Sequence, residues 1–154
     1  MGVKKMMGDI IRDGHGIICH QVNYHGVMGG GVAASIRDKL LSEEQYRDYQ
    51  KYCITRGLKA LGTVLYSETE IGLIANMFCQ NEHFNNGLTN YACMEKCFKD
   101  IRTVAEKKQC DVCIPGYIGC GIAGGNWGKV REIIDRVFQE SNVEALIIYW
   151  EKEL

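Results

Sequence analysis

Short apolar runs alternate with longer amphipathic stretches along the chain. Residues 3–9 read as a short strand, and Gly14-His15-Gly16 as a turn. Ile17-Ile18-Cys19-His20-Gln21-Val22 reads as a strand apolar on both faces, the pattern of a strand inside a sheet covered on both sides. The loop Gly26-Val27-Met28-Gly29-Gly30-Gly31 then opens a helix whose Val32, Ala33, Ile36 and Leu40 share a face. Ser42-Glu43-Glu44-Gln45 has the form of a capping box at the head of a second helix, with Tyr46, Tyr49 and Cys53 as its buried stripe and Gly57 at its end. Two strand patterns follow, at 63–66 and 71–78. Residues 80–87 are polar and turn-rich and are expected to be a surface loop.

Thr89 is placed to cap a helix with apolar positions Tyr91, Met94, Phe98, Ile101, Val104 and Ala105. Val112-Cys113-Ile114 is a strand, and residues 116–125 form a second glycine loop. Asn126 caps a last helix in which Trp127, Val130, Ile133, Ile134, Val137 and Phe138 recur at helical period. The strand Ala145-Leu146-Ile147-Ile148-Tyr149-Trp150 follows. Strands alternating with helices predict an α/β protein, a three-layer α/β/α sandwich with a central mixed sheet. At 154 residues, with one proline, no linker and no repeat, residues 1–154 are expected to form a single domain.

Composition narrows the function. The formal net charge is −1 with no basic stripe, which argues against bulk nucleic-acid binding driven by phosphate neutralisation. A phosphorylated ligand stays open, because backbone N–H groups at a helix start hold phosphate without Lys or Arg. No apolar run is long enough to span a bilayer, and the first residues lack a signal-peptide core, so a cytoplasmic protein is expected, without a membrane partner. The eight cysteines are then expected to be free, mostly buried thiols. Cys110 and Cys113 sit three apart in a strand pattern and point to opposite faces. Cys93 and Cys97 share a helix face, but no further pair completes a four-ligand site. No metal or other cofactor is expected.

The two glycine loops share one setting: a buried strand ends, glycines follow, and a helix begins. In open α/β sheets ligands bind beyond the carboxyl ends of the strands. Glycine lets backbone approach a ligand closely, and a helix start adds unpaired N–H groups and the positive end of a dipole. Two such loops on one crevice would cradle a diphosphate; the competing reading is that the glycines only make tight turns. Gly119-x-Gly121-x-x-Gly124 matches the dinucleotide fingerprint in letters, but that motif belongs to the first βαβ unit with an acidic residue ending the next strand. Here one further strand follows, and Glu151 is too distant. No loop ends in the Gly-Lys-Ser/Thr of a Walker motif.

Gly8-Asp9-Ile10, the strand into Asn23, Gly29-Gly30-Gly31-Val32 and Ile118-Gly119-Cys120-Gly121-Ile122 together resemble the motif order of the macrodomains, from about Met7 to Tyr149. The run from His20 to Ala33, and Ile118-Gly119-Cys120-Gly121 followed by Trp127, are most similar to two branches. One contains the ADP-ribose 1″-phosphate phosphatases of yeast and phage type. The other is the ALC1-like branch with the terminal ADP-ribose protein glycohydrolases and the DarG antitoxins.

The resemblance implies a site. Asp9 would accept a hydrogen bond from the adenine amino group, with the Ile10 backbone beside it; the alternative is a strand-end turn residue. Gly29, Gly30, Gly31 and Val32 would line the diphosphate on one side, and Ile118, Gly119, Cys120, Gly121 and Ile122 on the other. Asn23 would bond the distal ribose and take part in catalysis, or is a turn asparagine. Tyr149 would stack on adenine, or is a core-edge tyrosine. His20 matches a histidine assigned to catalysis in the phosphatases and would relay a proton near the distal ribose; the alternative is a hydrogen-bonded core histidine. His25 is a second candidate, and His15 and His83 are expected to face solvent.

The chain departs from the glycohydrolases. Asn76-Met77-Phe78-Cys79-Gln80-Asn81 contains no lysine, and Gly121-Ile122-Ala123-Gly124-Gly125 no acid, so chemistry that needs a nucleophilic amine at C1″ has no carrier there. Cys79 is not assumed to replace that amine, and Glu82, in the polar loop, is the nearest candidate carboxylate for the phosphatase reaction. Three functions follow: hydrolysis of ADP-ribose 1″-phosphate, placed first; a non-catalytic ADP-ribose reader; and a glycohydrolase acting on modified protein or nucleic acid. The expected ligand is ADP-ribose or its 1″-phosphate, and the expected state is a monomer.

Overall fold

The computed structural model describes residues 2–81 and 88–153. Among them, six strands form one sheet: β1 (Gly2–Gly8), β2 (Ile17–Val22), β3 (Val64–Glu68), β4 (Leu73–Phe78), β5 (Val112–Pro115) and β6 (Glu144–Trp150). Their spatial order is β1-β6-β5-β2-β4-β3. Only β3 runs antiparallel to its neighbour; the other pairs are parallel. The helices are α1 (Ile10–Asp13), α2 (Gly31–Lys39), α3 (Glu43–Arg56), α4 (Tyr91–Lys108) and α5 (Trp127–Phe138). The expected α/β sandwich with a mixed sheet is the observed architecture.

Alternation along β2 and β4 divides the core. Ile17 and Cys19 of β2, with Ala75 and Met77 of β4, face the layer of Met94, Phe98, Ile101, Val130, Ile134 and Phe138 from α4 and α5. Ile18 and Ile74 face Ile36 of α2, and Val22 and Phe78 face Tyr46 and Tyr49 of α3. Most of these side chains are fully buried, and each Val, Ile, Met or Phe among them contributes about 1.5–3 kcal/mol by leaving water. Phe98 and Phe138 meet edge to face, 5.9 Å apart, between α4 and α5.

The topology fixes where a ligand fits. From β2 the chain runs through α2 and α3 toward the β3–β4 side; from β5 it runs through α5 toward β6. Neighbouring central strands are thus left in opposite directions, on opposite faces. That is a topological switch point, the crevice in which open α/β sheets bind ligands. Pairing between β2 and β5 covers only Ile17↔Val112 and Ile18↔Cys113, so the strands are unpaired toward their carboxyl ends. Both glycine loops begin at this gap.

Several local expectations are corrected. Thr89 does not cap α4. Asn90 does, its side chain accepting from the Cys93 N–H, and Thr89 is bonded elsewhere. Asp9 heads the short helix α1, which no apolar periodicity announces. Val32 lies on the exposed side of α2, where Ile36 is the buried residue. Cys110 precedes β5 rather than lying on it. The capping box of Ser42 with Gln45 and the Asn126 cap of α5 form as read. Glu82 and His83 lie outside the described residues. None of the described helices is long and apolar enough to cross a membrane.

Candidate functional site

A cleft of about 260 Å³ opens between the two glycine loops at the carboxyl ends of the central strands. Its walls come from His20 and Gln21 of β2, residues 30–33 at the head of α2, Gln80 beyond β4, and the second loop from Pro115 to Ala123, without Cys120. The loops nearly touch across it: a Cβ placed on Gly30 would lie 3.1 Å from Cδ1 of Ile122. Ile122 is 87% exposed, an apolar side chain standing at the lip.

The head of α2 is electrostatically unusual. Ser42, Asn90 and Asn126 each cap the helix they precede with a side-chain oxygen. Gly30, the equivalent residue for α2, has no side chain to do so. The first N–H groups of a helix have no intrahelical acceptor, and Gly31, Val32 and Ala33, which carry them, line the cleft at the positive end of the dipole. Opposite them, the second loop folds on itself through Ile118 N to Pro115 O (3.1 Å), Cys120 N to Tyr117 O (2.8 Å), Gly124 N to Gly121 O (3.0 Å) and Gly125 N to Gly119 O (2.8 Å). The N–H groups of Gly119, Gly121 and Ile122 stay outside these bonds, whereas that of Cys120 is used within the loop. No Lys or Arg lines the cleft among the described residues, so neutral donors, backbone N–H groups foremost, are what the cleft offers an anion.

His20 sits on the β2 wall, 1% exposed. Its Nε2 is 2.6 Å from Oδ1 of Asn76, its register partner on β4. Asn76 Nδ2 donates to the Leu65 carbonyl (2.7 Å) and to Ser67 Oγ (3.1 Å). A carbonyl only accepts, so the amide orientation is set, Oδ1 must face His20, and Nε2 carries the proton. Nδ1 is then an unprotonated acceptor, buried and without a partner. Burial pushes the imidazole pKa down to about 4, against the opposing Asn76 bond. The ring is neutral at physiological pH, and its one free nitrogen can take a proton but has none to give. The expected relay of a proton to a leaving group is therefore not available from this tautomer; acting as a base is.

On the other face of β2, Gln21 anchors the second loop. Cys79 Sγ donates to Gln21 Oε1 (3.1 Å), Gln21 Nε2 donates to Thr89 Oγ1 (3.1 Å), and Thr89 Oγ1 donates to the Gly119 carbonyl (2.5 Å). The chain of bonds ties the ends of β2 and β4 to the apex of the loop. Burial drives the Cys79 thiol pKa upward, so Cys79 serves here as a neutral donor, not a nucleophile.

The remaining predicted residues lie around the cleft rather than on its wall. Asp9 Oδ1 accepts from the Ile11 N–H (2.8 Å), and Oδ2 takes no part in that cap. The Ile10 side chain is core. Gly8 is in register with Trp150, and β6 with β5. Asp9 therefore stands on the same sheet edge as the second loop, two strands and roughly 10 Å away. Asn23 is absorbed by its own loop: Nδ2 donates to Val27 O (2.8 Å), and Oδ1 accepts from His25 N (2.9 Å) and Tyr49 OH (3.2 Å). Tyr149 OH accepts from Trp127 Nε1 (3.2 Å), and a Cβ on Gly116 would come within 2.4 Å of its ring. The ring is wedged rather than free to stack. Gly29 and His25 are exposed on the first loop. His15 lies at the opposite end of β2, where Asp13 O and Asp111 hold it and raise its pKa.

The sequence marks none of Gln21, Asn76, Gln80, Thr89 and Tyr117 as a site residue. Alternation on β2 gives the one available signal, since it places His20 and Gln21 on opposite faces at the strand end that carries the loop.

No protein-family model and no curated protein matches this chain. Solved structures do. A Bacteroides thetaiotaomicron protein of unknown function superposes with a TM-score of 0.83 at 22% identity, over 97% of this chain and 98% of that one. The macrodomain of Mycobacterium tuberculosis DarG gives 0.78 at 24%, over 95% and 96%. Thermosipho africanus DarTG, solved in complex with ADP-ribose, gives 0.76 at 17%, over 96% of this chain and 41% of that one.

Proposed function

The fold is that of the macrodomains, and on that premise we propose that the chain binds ADP-ribose in the cleft between the two glycine loops. The observation that carries this is the head of α2: a helix start without a side-chain cap, opening on a cleft whose facing wall is a second glycine loop. One diphosphate would take hydrogen bonds from both walls and complete the cap that Gly30 cannot supply. With the diphosphate there, the adenosine lies along the sheet edge toward Asp9, whose Oδ2 accepts from the adenine amino group. The distal ribose lies toward β2. The ADP-ribose complex of the Thermosipho africanus protein, which shares the fold, supports the choice of ligand. Titration with ADP-ribose tests it.

The finer reading is hydrolysis of ADP-ribose 1″-phosphate to ADP-ribose and phosphate. His20 favours it: its imidazole lines the cleft, locked as one tautomer with the buried Nδ1 as its unpartnered acceptor, and it takes the proton of the attacking water when substrate binding brings that water to Nδ1. Phosphate release by the wild type that is lost in His20→Ala, with ADP-ribose binding intact, would support turnover. Release unchanged in His20→Ala removes His20 from the chemistry, and no release by wild type leaves a reader. Gln80 and Ala123 stand on the cleft wall from the two segments where a glycohydrolase would need its amine and acid, so no observation favours that alternative.

A further inference from the structure

Tyr117 is one of two non-glycine residues with positive φ among those described, at φ 63°. The other, Gln109, is a polar residue ending α4 in the left-handed region, an ordinary helix stop. A tyrosine in that region is an outlier, because its Cβ crowds the backbone, and strain of this kind persists where the surroundings fix it, most often at binding sites. Here the surroundings are two rings. Tyr117 meets Trp127 at 5.3 Å and Tyr149 edge-on at 5.4 Å. Trp127 and Tyr149 are themselves perpendicular and joined by the indole hydrogen bond. Tyr149 in turn fills the space above Gly116, so Gly116 and the αL turn together lift the Tyr117 ring out of the sheet edge.

The lifted ring lines the cleft and is 50% exposed. It stands at the end of β5, between the diphosphate cradle and Asp9, which follows β1 at the head of α1. We propose, on the strength of the ADP-ribose reading, that Tyr117 is the base-contacting residue of this site: the face of a planar nucleobase packs on its ring, and Trp127 and Tyr149 hold it in place. The stacking role passes from Tyr149, which is wedged, to the ring that Tyr149 supports. Stacking on a ring face is tolerant of the base, so Tyr117 supplies affinity for a nucleoside while Asp9 supplies the choice of an amino-bearing purine.

The test compares wild type, Tyr117→Phe and Tyr117→Asn against ADP-ribose and against ribose 5-diphosphate, the same ligand without its adenosine. Asparagine enters the left-handed region readily, so that variant keeps the loop while removing the ring. Tyr117→Phe is expected to bind ADP-ribose within about twofold of wild type, and Tyr117→Asn about tenfold more weakly. Ribose 5-diphosphate is expected to bind all three alike. If Tyr117→Asn binds ADP-ribose as wild type does, or loses both ligands equally, the ring does not carry a base and the assignment is overturned. If wild type itself binds neither ligand, the diphosphate site is refuted instead, which separates the two failures.

Discussion

His20 Nε2 and Asn76 Oδ1 lie 2.6 Å apart, on register partners of adjacent parallel strands beneath α2 and α3. The pair is a buried polar bridge between two apolar clusters, and burial keeps the imidazole neutral against the opposing Asn76 bond.

That burial has a signed consequence for stability. The folded His20 pKa of about 4 lies below its ordinary value of 6.5, so between these values the unfolded chain binds the extra proton. Stability contributed by neutral His20 is present above pH 6.5 and is lost as pH falls toward 4. Between pH 7 and pH 5 the loss is about 2 kcal/mol. Carboxylates with lowered pKa, such as Glu95 and Glu106, also weaken the fold in acid, so the comparison must be with His20→Asn. Urea denaturation of both proteins at the two pH values should show wild type losing about 2 kcal/mol more. Parallel losses would mean that His20 is not buried neutral.

The same depressed pKa shapes any turnover. A base titrating near 4 gives a rate that is flat from about pH 6 to 8. An inflection near the ordinary histidine value in the rate of phosphate release would assign the proton transfer to another group.

Gly30→Asp should move stability and affinity in opposite directions. Gly30 has extended backbone that any residue adopts, and the one close neighbour of a new Cβ is the flexible tip of Ile122. The aspartate would cap α2 and complement its dipole, raising stability by a few tenths of a kcal/mol. Its carboxylate would also occupy the anion site, weakening ADP-ribose binding at least about tenfold, the effect of roughly 1.4 kcal/mol. Thermal unfolding and calorimetry on the one variant check both halves. Unchanged affinity would place the diphosphate elsewhere.

Gly119→Ala should damage both fold and site. Gly119 has φ 73°, and its Cβ would lie 2.9 Å from Gln21 Oε1 and 3.0 Å from Thr89 Oγ1, the groups that anchor the loop. A loss of about 1–3 kcal/mol in chemical denaturation is expected, from left-handed strain and a disrupted hydrogen bond. A neutral result would show that the loop is not held by that chain of bonds.

A cradle built from backbone N–H groups predicts weak salt dependence. No Lys or Arg lines the cleft among the described residues. Raising NaCl from about 0.05 to 0.5 M should therefore change ADP-ribose affinity by less than about threefold, since long-range screening has little to act on. A much steeper dependence would point to a cationic site outside the cleft.

The sequence was most informative where local rules act alone. The capping box of Ser42 and Gln45, the Asn126 cap and the doubly apolar β2 are set by neighbours within four residues, and they form as read. Glycines after β2 and β5 marked the cleft, because strand-to-helix junctions place loops on one sheet edge. Contacts across the fold were hidden. Thr89 reads as a helix cap, yet Asn90 takes that role and frees Thr89 for Gly119. Asn23 reads as a ligand residue, yet its amide closes its own loop. His20 pointed to the site, but its tautomer depends on Asn76, which is 56 residues away. Tyr117 gave no signal, since nothing local reveals a left-handed tyrosine braced by distant rings.

The most direct test of the central claim is calorimetric titration of the wild-type chain with ADP-ribose, with AMP as the control that lacks the diphosphate bridge. One-to-one binding of ADP-ribose at micromolar affinity or tighter, with AMP far weaker, is the predicted result. Absence of ADP-ribose binding at millimolar concentration would contradict it, and the two glycine loops would then be turns that complete the fold without holding a diphosphate.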